Sequence, residues 1–470
     1  MTAPHAAPER TGRSTSRAAL RAAPTPRALE WVDSTDVAYT TTTSGFSLGT
    51  APYIPAPQAD LLTDAPHRSP WRPGVLMPAA LIGLLAGAYA AATLLWPLHA
   101  VPPVVEALTV QAVAAPAAAP PWPVEGGAAI SVAGMGAPLA STAESTPIAS
   151  ITKVVTALLV LDEMPLAVGE EGPEYRFTDR DMTAYWQYRS DDESALEVPV
   201  GGTLSQYQLL EGMLIGSANN YADHLAAAIW PSDAVFARAA NDWLRLHGVP
   251  GITIADPTGI DSRNAASPEA LLPLAQRAMS NPVIAEIVAK TAVDLPGAGL
   301  VENTNGLLTD AGVKGIKTGS LREDWNLLSA KDIMIGETPV RLYAAVLGQP
   351  DDEERLAASR ALYAELEASL QSFPSVVSGT AVGTVTTEWG SDVDIRTAAD
   401  AEVVLWNGGI GSTTTSFSLG EARGEGDEVG TLSVSGPLDS DSTTVVLADD
   451  IEGPSAWWRL THPLELFGID

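Results

Sequence analysis

The 470-residue sequence contains no cysteine, which excludes disulfides, thiolate zinc sites and cysteine nucleophiles and leaves the redox compartment undecided. Histidine is sparse: His5, His67, His99, His224, His247 and His462 are scattered, with no H-E-x-x-H or comparable spacing, so neither a metal site nor a cofactor is expected. Lysine is the third shortage, with only Lys153, Lys290, Lys314, Lys317 and Lys331 in the chain; every other fixed cation is arginine. A guanidinium cannot release its proton near neutral pH whereas a desolvated lysine can, so a lysine inside a motif is the informative choice. Positive charge is short overall, with 26 Lys and Arg against 57 Asp and Glu. Residues 1–100 carry seven Arg against six Asp and Glu, a balance of +1, so the remainder holds −32 of the net −31. A body this acidic is a poor match for phosphate backbones, and no nucleic-acid partner is expected.

Long uncharged runs are present. Residues 75–96 read VLMPAALIGLLAGAYAAATLLW, long enough to cross a bilayer core of about 30 Å. The run is longer, and begins further along the chain, than a cleaved signal peptide. Arg68 and Arg72 precede it and no Lys or Arg follows until Lys153, so residues 1–74 are expected in the cytoplasm and the rest outside the cell membrane, as a single-pass protein. Residues 1–74 mix Ala, Pro, Thr, Ser and Arg without apolar periodicity, as a disordered tail does. Residues 97–125 are rich in Ala, Pro and Val and are expected to form an extended stalk.

The body of the chain is organised around residues 147–161, PIASITKVVTALLVL, whose apolar residues leave almost no polar face and predict a helix buried in a domain centre. Ser150 stands at its start and Lys153 three residues on, the same helical face, within side-chain reach. Lys153 can take the proton that makes Ser150 a nucleophile, and backbone N–H groups at the helix start favour the negative charge of acyl transfer. Downstream, an apolar helix over residues 206–215 ends at Gly216, and Ser217-Ala218-Asn219 opens the next helix. Two residues apart do not share a helix face, so Ser217 and Asn219 face one cavity only where the backbone turns. Lys317-Thr318-Gly319-Ser320 lies on a strand pattern over residues 312–320, followed by strand patterns over 325–335 and 340–347 and a helix over 352–370. Gly319 suits a strand edge that a peptide approaches closely. Tyr185, Trp186 and Tyr188 fall in an irregular stretch and are read mainly as packing residues. From residue 378 onward, short alternating runs rich in Val, Thr, Gly and Asp predict a small all-β domain, in which Trp457 and Trp458 pack.

S-x-x-K, S-x-N and K-T-G in this order form the motif set of penicillin-binding proteins and serine β-lactamases. The surrounding residues sharpen the resemblance: Ala149 to Lys153, LLEGMLIGSANNYA over 209–222, Asp256-Pro257-Thr258-Gly259, and Asn303-Thr304-Asn305 ahead of the K-T-G strand. The stretch resembles the low-molecular-mass penicillin-binding proteins that act as serine D-alanyl-D-alanine carboxypeptidases. The resemblance implies an α+β catalytic domain over 126–371, an antiparallel sheet with helices on both faces, followed by a C-terminal β domain over 378–470. It further implies peptidoglycan stem peptides ending in D-Ala-D-Ala as substrate and β-lactams as covalent inhibitors. In roles carried by resemblance, Ser150 attacks, Lys153 is the base, and Ser217 with Lys317 passes a proton to the departing amine. Asn219, Lys317, Thr318 and Gly319 hold substrate, and Ser150 and Ser320 N–H groups receive the oxyanion. The group that activates the deacylating water is not identifiable from sequence. An endopeptidase, a transpeptidase, a β-lactamase of the same fold and a non-catalytic wall-binding protein remain alternatives, although the E-x-x-L-N loop of rapidly deacylating β-lactamases is missing between the second and third motifs.

Overall fold

A computed structural model describes residues 73–370 and 373–469; the cytoplasmic tail expected over residues 1–74 lies almost wholly outside them. The chain divides into two units, residues 1–79 and 80–470, and of the first only the opening turns of one helix are described. That helix, Pro73–Leu95, contains a 20-residue segment of mean hydropathy 1.8, Leu76–Leu95, long and apolar enough to cross a membrane.

The second unit is built on a five-stranded antiparallel sheet of β1 (Gly127–Val132), β2 (Met135–Ala140), β3 (Val313–Leu321), β4 (Asp324–Ile335) and β5 (Thr338–Gln349), in the spatial order β3-β4-β5-β1-β2. Successive residues of a strand point to opposite faces, and here both faces are covered. Leu342, Ala344 and Val346 of β5 enter one core while Tyr343, Ala345 and Leu347 enter the other. That explains why these strands read as continuous apolar runs. The larger core lies under α1 (Thr152–Glu163), α3 (Gln206–Leu214), α4 (Asn219–Ile229) and α6 (Pro268–Ser280); α2 (Asp179–Ser190) and α5 (Asp233–Leu246) flank it. The smaller core lies under α8 (Asp352–Ser369), which follows α7 (Pro282–Val288) in helix order. This is the expected α+β arrangement with helices on both sheet faces. Sequence reading missed α2, whose polar residues show no apolar stripe; a reciprocal cap between Thr178 and Asp181 starts it.

Helix α1 is the central element. All ten residues from Thr152 to Leu161 are buried. Burying each Val or Leu among them contributes about 1.5–3 kcal/mol, which offsets the desolvation of the one lysine carried with them.

The C-terminal domain holds a six-stranded antiparallel sheet, and its composition corrects the expected stalk. The first strand of that sheet is Val104–Ala107, paired with Ala381–Thr386. The segment stays bound beyond it: Val113 N–H donates to Ser375 O (2.7 Å), Ala115 N–H to Gly409 O (2.9 Å), and Thr413 Oγ1 to Val110 O (2.9 Å). Residues 97–125 look like a linker because they are nearly uncharged and lack alternation; the edge strand forms through main-chain hydrogen bonds to a partner far along the chain. Val404 and Trp406 of this domain enter the smaller core of the catalytic sheet. The Trp457-Trp458 segment is divided: Trp458 stacks on His462 and meets Trp389 edge-on, whereas Trp457 is exposed. We expect a soluble fragment of residues 97–470 to unfold with a C-terminal-domain transition that a fragment of residues 125–470 loses or shows lower by about 5 °C or more. Equal melting of the two fragments by calorimetry would show the edge segment to be dispensable.

Candidate active site

Ser150 does not begin the α-helix. It is the middle residue of a single 3₁₀ turn, Ala149–Ile151, and α1 starts at Thr152. The tighter turn strengthens the motif, because at three residues per turn the side chains at i and i+3 eclipse. Lys153 Nζ lies 2.8 Å from Ser150 Oγ. The lysine is fully buried, and its other contacts are Asn219 Oδ1 at 2.5 Å and Thr258 O at 2.6 Å. Burial lowers its pKa from the usual 10.5 to about 7, a shift partly opposed by Asp256, Asp223 and Glu193.

The Thr258 carbonyl is presented by a turn that one carboxylate assembles. Asp256 Oδ1 accepts N–H bonds from Thr258 (2.7 Å) and Gly259 (2.8 Å), and Oδ2 accepts from Asp261 N–H (2.9 Å) and Asn264 Nδ2 (2.5 Å). Burial alone would raise this carboxyl, but the hydrogen bonds, led by that from the Thr258 hydroxyl, hold it below the usual carboxylate range. Gly259, at φ +91°, abuts the nucleophile turn so closely that a Cβ would lie 2.0 Å from Ala149 O. Ala149 itself has φ +49° and Ser217 has φ +60°, left-handed conformations that non-glycine residues adopt only where surrounding structure holds them. Ser217 thereby faces the cleft at the break between α3 and α4, where Asn219 begins the helix.

The third segment arrives on β3. A Cβ on Gly319 would stand 2.9 Å from Ile148 O and 3.1 Å from Ser150 N, so glycine lets the strand lie against the nucleophile turn. Asn326 on β4 reinforces the contact by donating to Pro147 O (3.1 Å). Lys317 is 1% exposed, and its Nζ has no hydrogen-bond partner among the described residues, Ser217 included. Burial, then the charges of Lys153 and Arg355, push its pKa well below the ordinary lysine value. Thr318 Oγ1 meets Thr304 Oγ1 at 2.5 Å.

These segments border one polar cleft of about 500 Å³, lined by Ser150, Ser217, Thr318, Gly319 and Ser320, with Lys153, Asn219 and Lys317 buried beside it. Residues not singled out from sequence also line it: Glu193 and its acidic neighbours, Arg322, Trp325 and Arg355. Arg355 donates to Gly319 O (3.3 Å) and Asn326 O (3.2 Å) and lies over the Trp325 ring. Arginine on α8 gives no sequence signal, because its partners are carbonyls of β3 and β4. Tyr185, Trp186 and Tyr188 do not line the cleft; Tyr188 Oη bonds the Asp223 carboxylate behind it, and Trp186 is exposed.

The arrangement can activate a serine: it has an eclipsed lysine of lowered pKa, an amide and a carbonyl to orient it, and on an adjoining strand a buried lysine with no hydrogen-bond partner among the described residues. Residues 138–350 match the sequence model of the D-alanyl-D-alanine carboxypeptidase family. The chain is similar to D-alanyl-D-alanine carboxypeptidase DacB2 of Mycobacterium tuberculosis, 29% identical over 180 residues that make up 37% of this chain and 57% of that protein. The chain therefore spans little more than half the length of that relative. Among solved structures it is similar to penicillin-binding protein 5 from Haemophilus influenzae, at 17% identity and a TM-score of 0.48 over 74% of this chain and 99% of that one. It is also similar to a D-alanyl-D-alanine carboxypeptidase from Mycobacterium tuberculosis H37Rv, at 24% identity and a TM-score of 0.45 over 55% and 96% of the two chains. With the motif residues brought to one cleft, residues 138–350 of this chain are similar to the D-alanyl-D-alanine carboxypeptidase family, a match that spans a little under half of the chain.

Proposed function

We propose that this chain is a serine D-alanyl-D-alanine carboxypeptidase, held at the cell membrane by its apolar helix with the catalytic domain outside, which trims the terminal D-Ala of peptidoglycan stem peptides. The observation that carries the reading is the 2.8 Å contact between Ser150 Oγ and the buried Nζ of Lys153. A neutral lysine has two N–H donors and one lone pair. Asn219 Oδ1 and the Thr258 carbonyl use the two donors, so the lone pair faces Ser150, whose hydroxyl donates to it. Ser150 Oγ attacks the carbonyl between the two D-alanines as Lys153 takes its proton. Ser150 and Ser320 N–H groups receive the oxyanion. Asn219 holds the substrate amide, and Lys317 with Thr318 holds the terminal carboxylate. Ser217, at the cleft wall, hands a proton to the departing D-alanine and recovers it from Lys153. β-Lactams present the same carboxylate and a strained amide, and acylate Ser150.

Residues 97–470 should release D-alanine from a peptide ending in D-Ala-D-Ala and take up fluorescent penicillin at Ser150, located by mass spectrometry of the labelled peptide. Ser150→Ala should remove the label and the release together. Labelling that survives Ser150→Ala refutes the assignment.

A further inference from the structure

An acyl-enzyme must be hydrolysed, and water at neutral pH is a weak nucleophile unless a base takes its proton. Asp223 and Asp256 lie behind Lys153 and are engaged there, Asp223 with Tyr188 and Asp256 with the turn of Thr258 and Gly259. Asp191 and Asp192 are exposed at the rim. Glu193 is different: it lines the cleft with Ser150, and one of its carboxylate oxygens accepts a hydrogen bond from Asn219 Nδ2 at 3.3 Å. The other end of the same amide, Asn219 Oδ1, binds Lys153 Nζ at 2.5 Å, and that nitrogen touches Ser150 Oγ. A single carboxamide therefore separates Glu193 from the lysine that activates the nucleophile.

The position of Glu193 is built. At the end of α2 the chain reverses through Asp192, at φ +61°, and Glu193 N–H donates to Tyr188 O (2.9 Å). The following residues are fastened to the start of α4: Asn219 N–H donates to Ser194 O (2.9 Å), and Asn220 exchanges hydrogen bonds with Leu196 N–H and O (3.1 and 2.8 Å). The loop carrying Glu193 is thus fastened to the motif carrying Ser217 and Asn219.

We propose that Glu193 is the catalytic base of deacylation, taking a proton from the water that attacks the Ser150 acyl carbon. This rests on the acyl-enzyme reading above. The water oxygen bonds to the acyl carbon, its proton passes to the Glu193 carboxylate, and the tetrahedral intermediate expels Ser150 Oγ. Lys153, in its protonated form, returns a proton to that oxygen. The Glu193 carboxyl then gives up its proton to solvent, and Lys153, which was protonated from solvent in the acyl-enzyme, is left neutral for the next acylation, so one water is consumed and the free acid and free serine are formed. Glu193 in this way directs the enzyme toward hydrolysis and away from a lasting covalent adduct.

The test uses the full chain in detergent micelles, acylated with benzylpenicillin and followed by intact mass. In Glu193→Gln, whose amide oxygen still accepts from Asn219, acylation should stay within about threefold of the parent while loss of the penicilloyl group slows about 10²-fold, the low end of a positioned base's contribution. Hydroxylamine, a nucleophile that needs no base, should strip the adduct from Glu193→Gln and from the parent at similar rates. Unchanged penicilloyl loss in Glu193→Gln overturns the proposal. Slowing confined to Glu193→Ala also overturns it, because that pattern belongs to a residue that only orients Asn219. So does failure of hydroxylamine to release the adduct, which marks a blocked carbonyl. Absence of any penicilloyl adduct in the parent sinks the acyl-enzyme reading itself and leaves a different signature from all of these.

Discussion

Lys153→Met should lower the rate of acylation by penicillin, and of D-alanine release, by at least about 10³-fold, within the range a positioned general base supplies. Lys153→Arg should not recover it, since guanidinium stays protonated and cannot take the Ser150 proton. The same lysine sets the pH response. Its pKa of about 7 means that the base form grows as pH rises through neutrality, so acylation should climb from pH 6 to pH 8. Stability runs with it. The folded value lies below the ordinary 10.5, so between about 7 and 10.5 the unfolded chain binds the extra proton and folding is favoured as pH rises. Below about 7 the folded state carries a buried ammonium. Lys153→Met removes that burden, although three hydrogen bonds go with it. The variant should therefore melt higher than the parent at pH 6, by a few degrees, with the gap closing toward pH 9. A Lys153→Met variant that acylates normally, or whose melting advantage grows with pH, contradicts the assigned role.

The second large effect belongs to Lys317. A buried lysine with no hydrogen-bond partner among the described residues gains most from an arriving carboxylate, and removing one side of such a desolvated charge pair costs about 2–5 kcal/mol. Lys317→Ala should reduce acylation efficiency by about 10²–10³-fold toward substrates with a free terminal carboxylate. It should have little effect toward the same peptides capped as amides, and this difference separates recognition of the carboxylate from general damage to the cleft. Lys317 also has a lowered pKa, by burial first and then by Lys153 and Arg355, so an incoming carboxylate restores its proton. Binding to Ser150→Ala should take up a proton, measurable by calorimetry in buffers of different ionisation heat. Because a charge on Lys153 depresses Lys317, the productive state is the one in which the pair shares a single proton, held on Lys317 while Lys153 is free to act. Acylation efficiency against pH should be bell-shaped, and its two limbs belong to the pair and not to either residue. A profile that rises to a plateau and never falls would show that Lys317 keeps its charge independently of ligand.

Parts of this site were legible in the sequence for a local reason. Ser150 and Lys153 lie within one turn, and Ser217 and Asn219 span one helix break, so spacing alone constrains which side chains meet. The glycine within Lys317-Thr318-Gly319 signals close approach because no other residue lets a backbone come so near. Glu193, Trp325 and Arg355 gave no such signal. Their relevance depends on which distant segment each is folded against, and an acid at the end of a polar helix or an arginine on an amphipathic one is ordinary in isolation. The edge strand at Val104–Ala107 was hidden likewise, since a nearly uncharged segment rich in Ala, Pro and Val has the composition of a linker wherever it docks.

By itself, then, the sequence determined a buried helix carrying a serine and a lysine three apart, an uncharged run long enough for a bilayer, and the order of three polar motifs, all properties set within a few turns of chain. Only the tertiary structure decided that Thr258 and Asn219 hold the lysine, that Lys317 has no hydrogen-bond partner among the described residues, and that Glu193 lines the cleft of Ser150 and bonds Asn219. Those contacts join residues far apart in the chain, and they follow from how α1, α4 and β3 pack around a shared cleft, which no local spacing encodes.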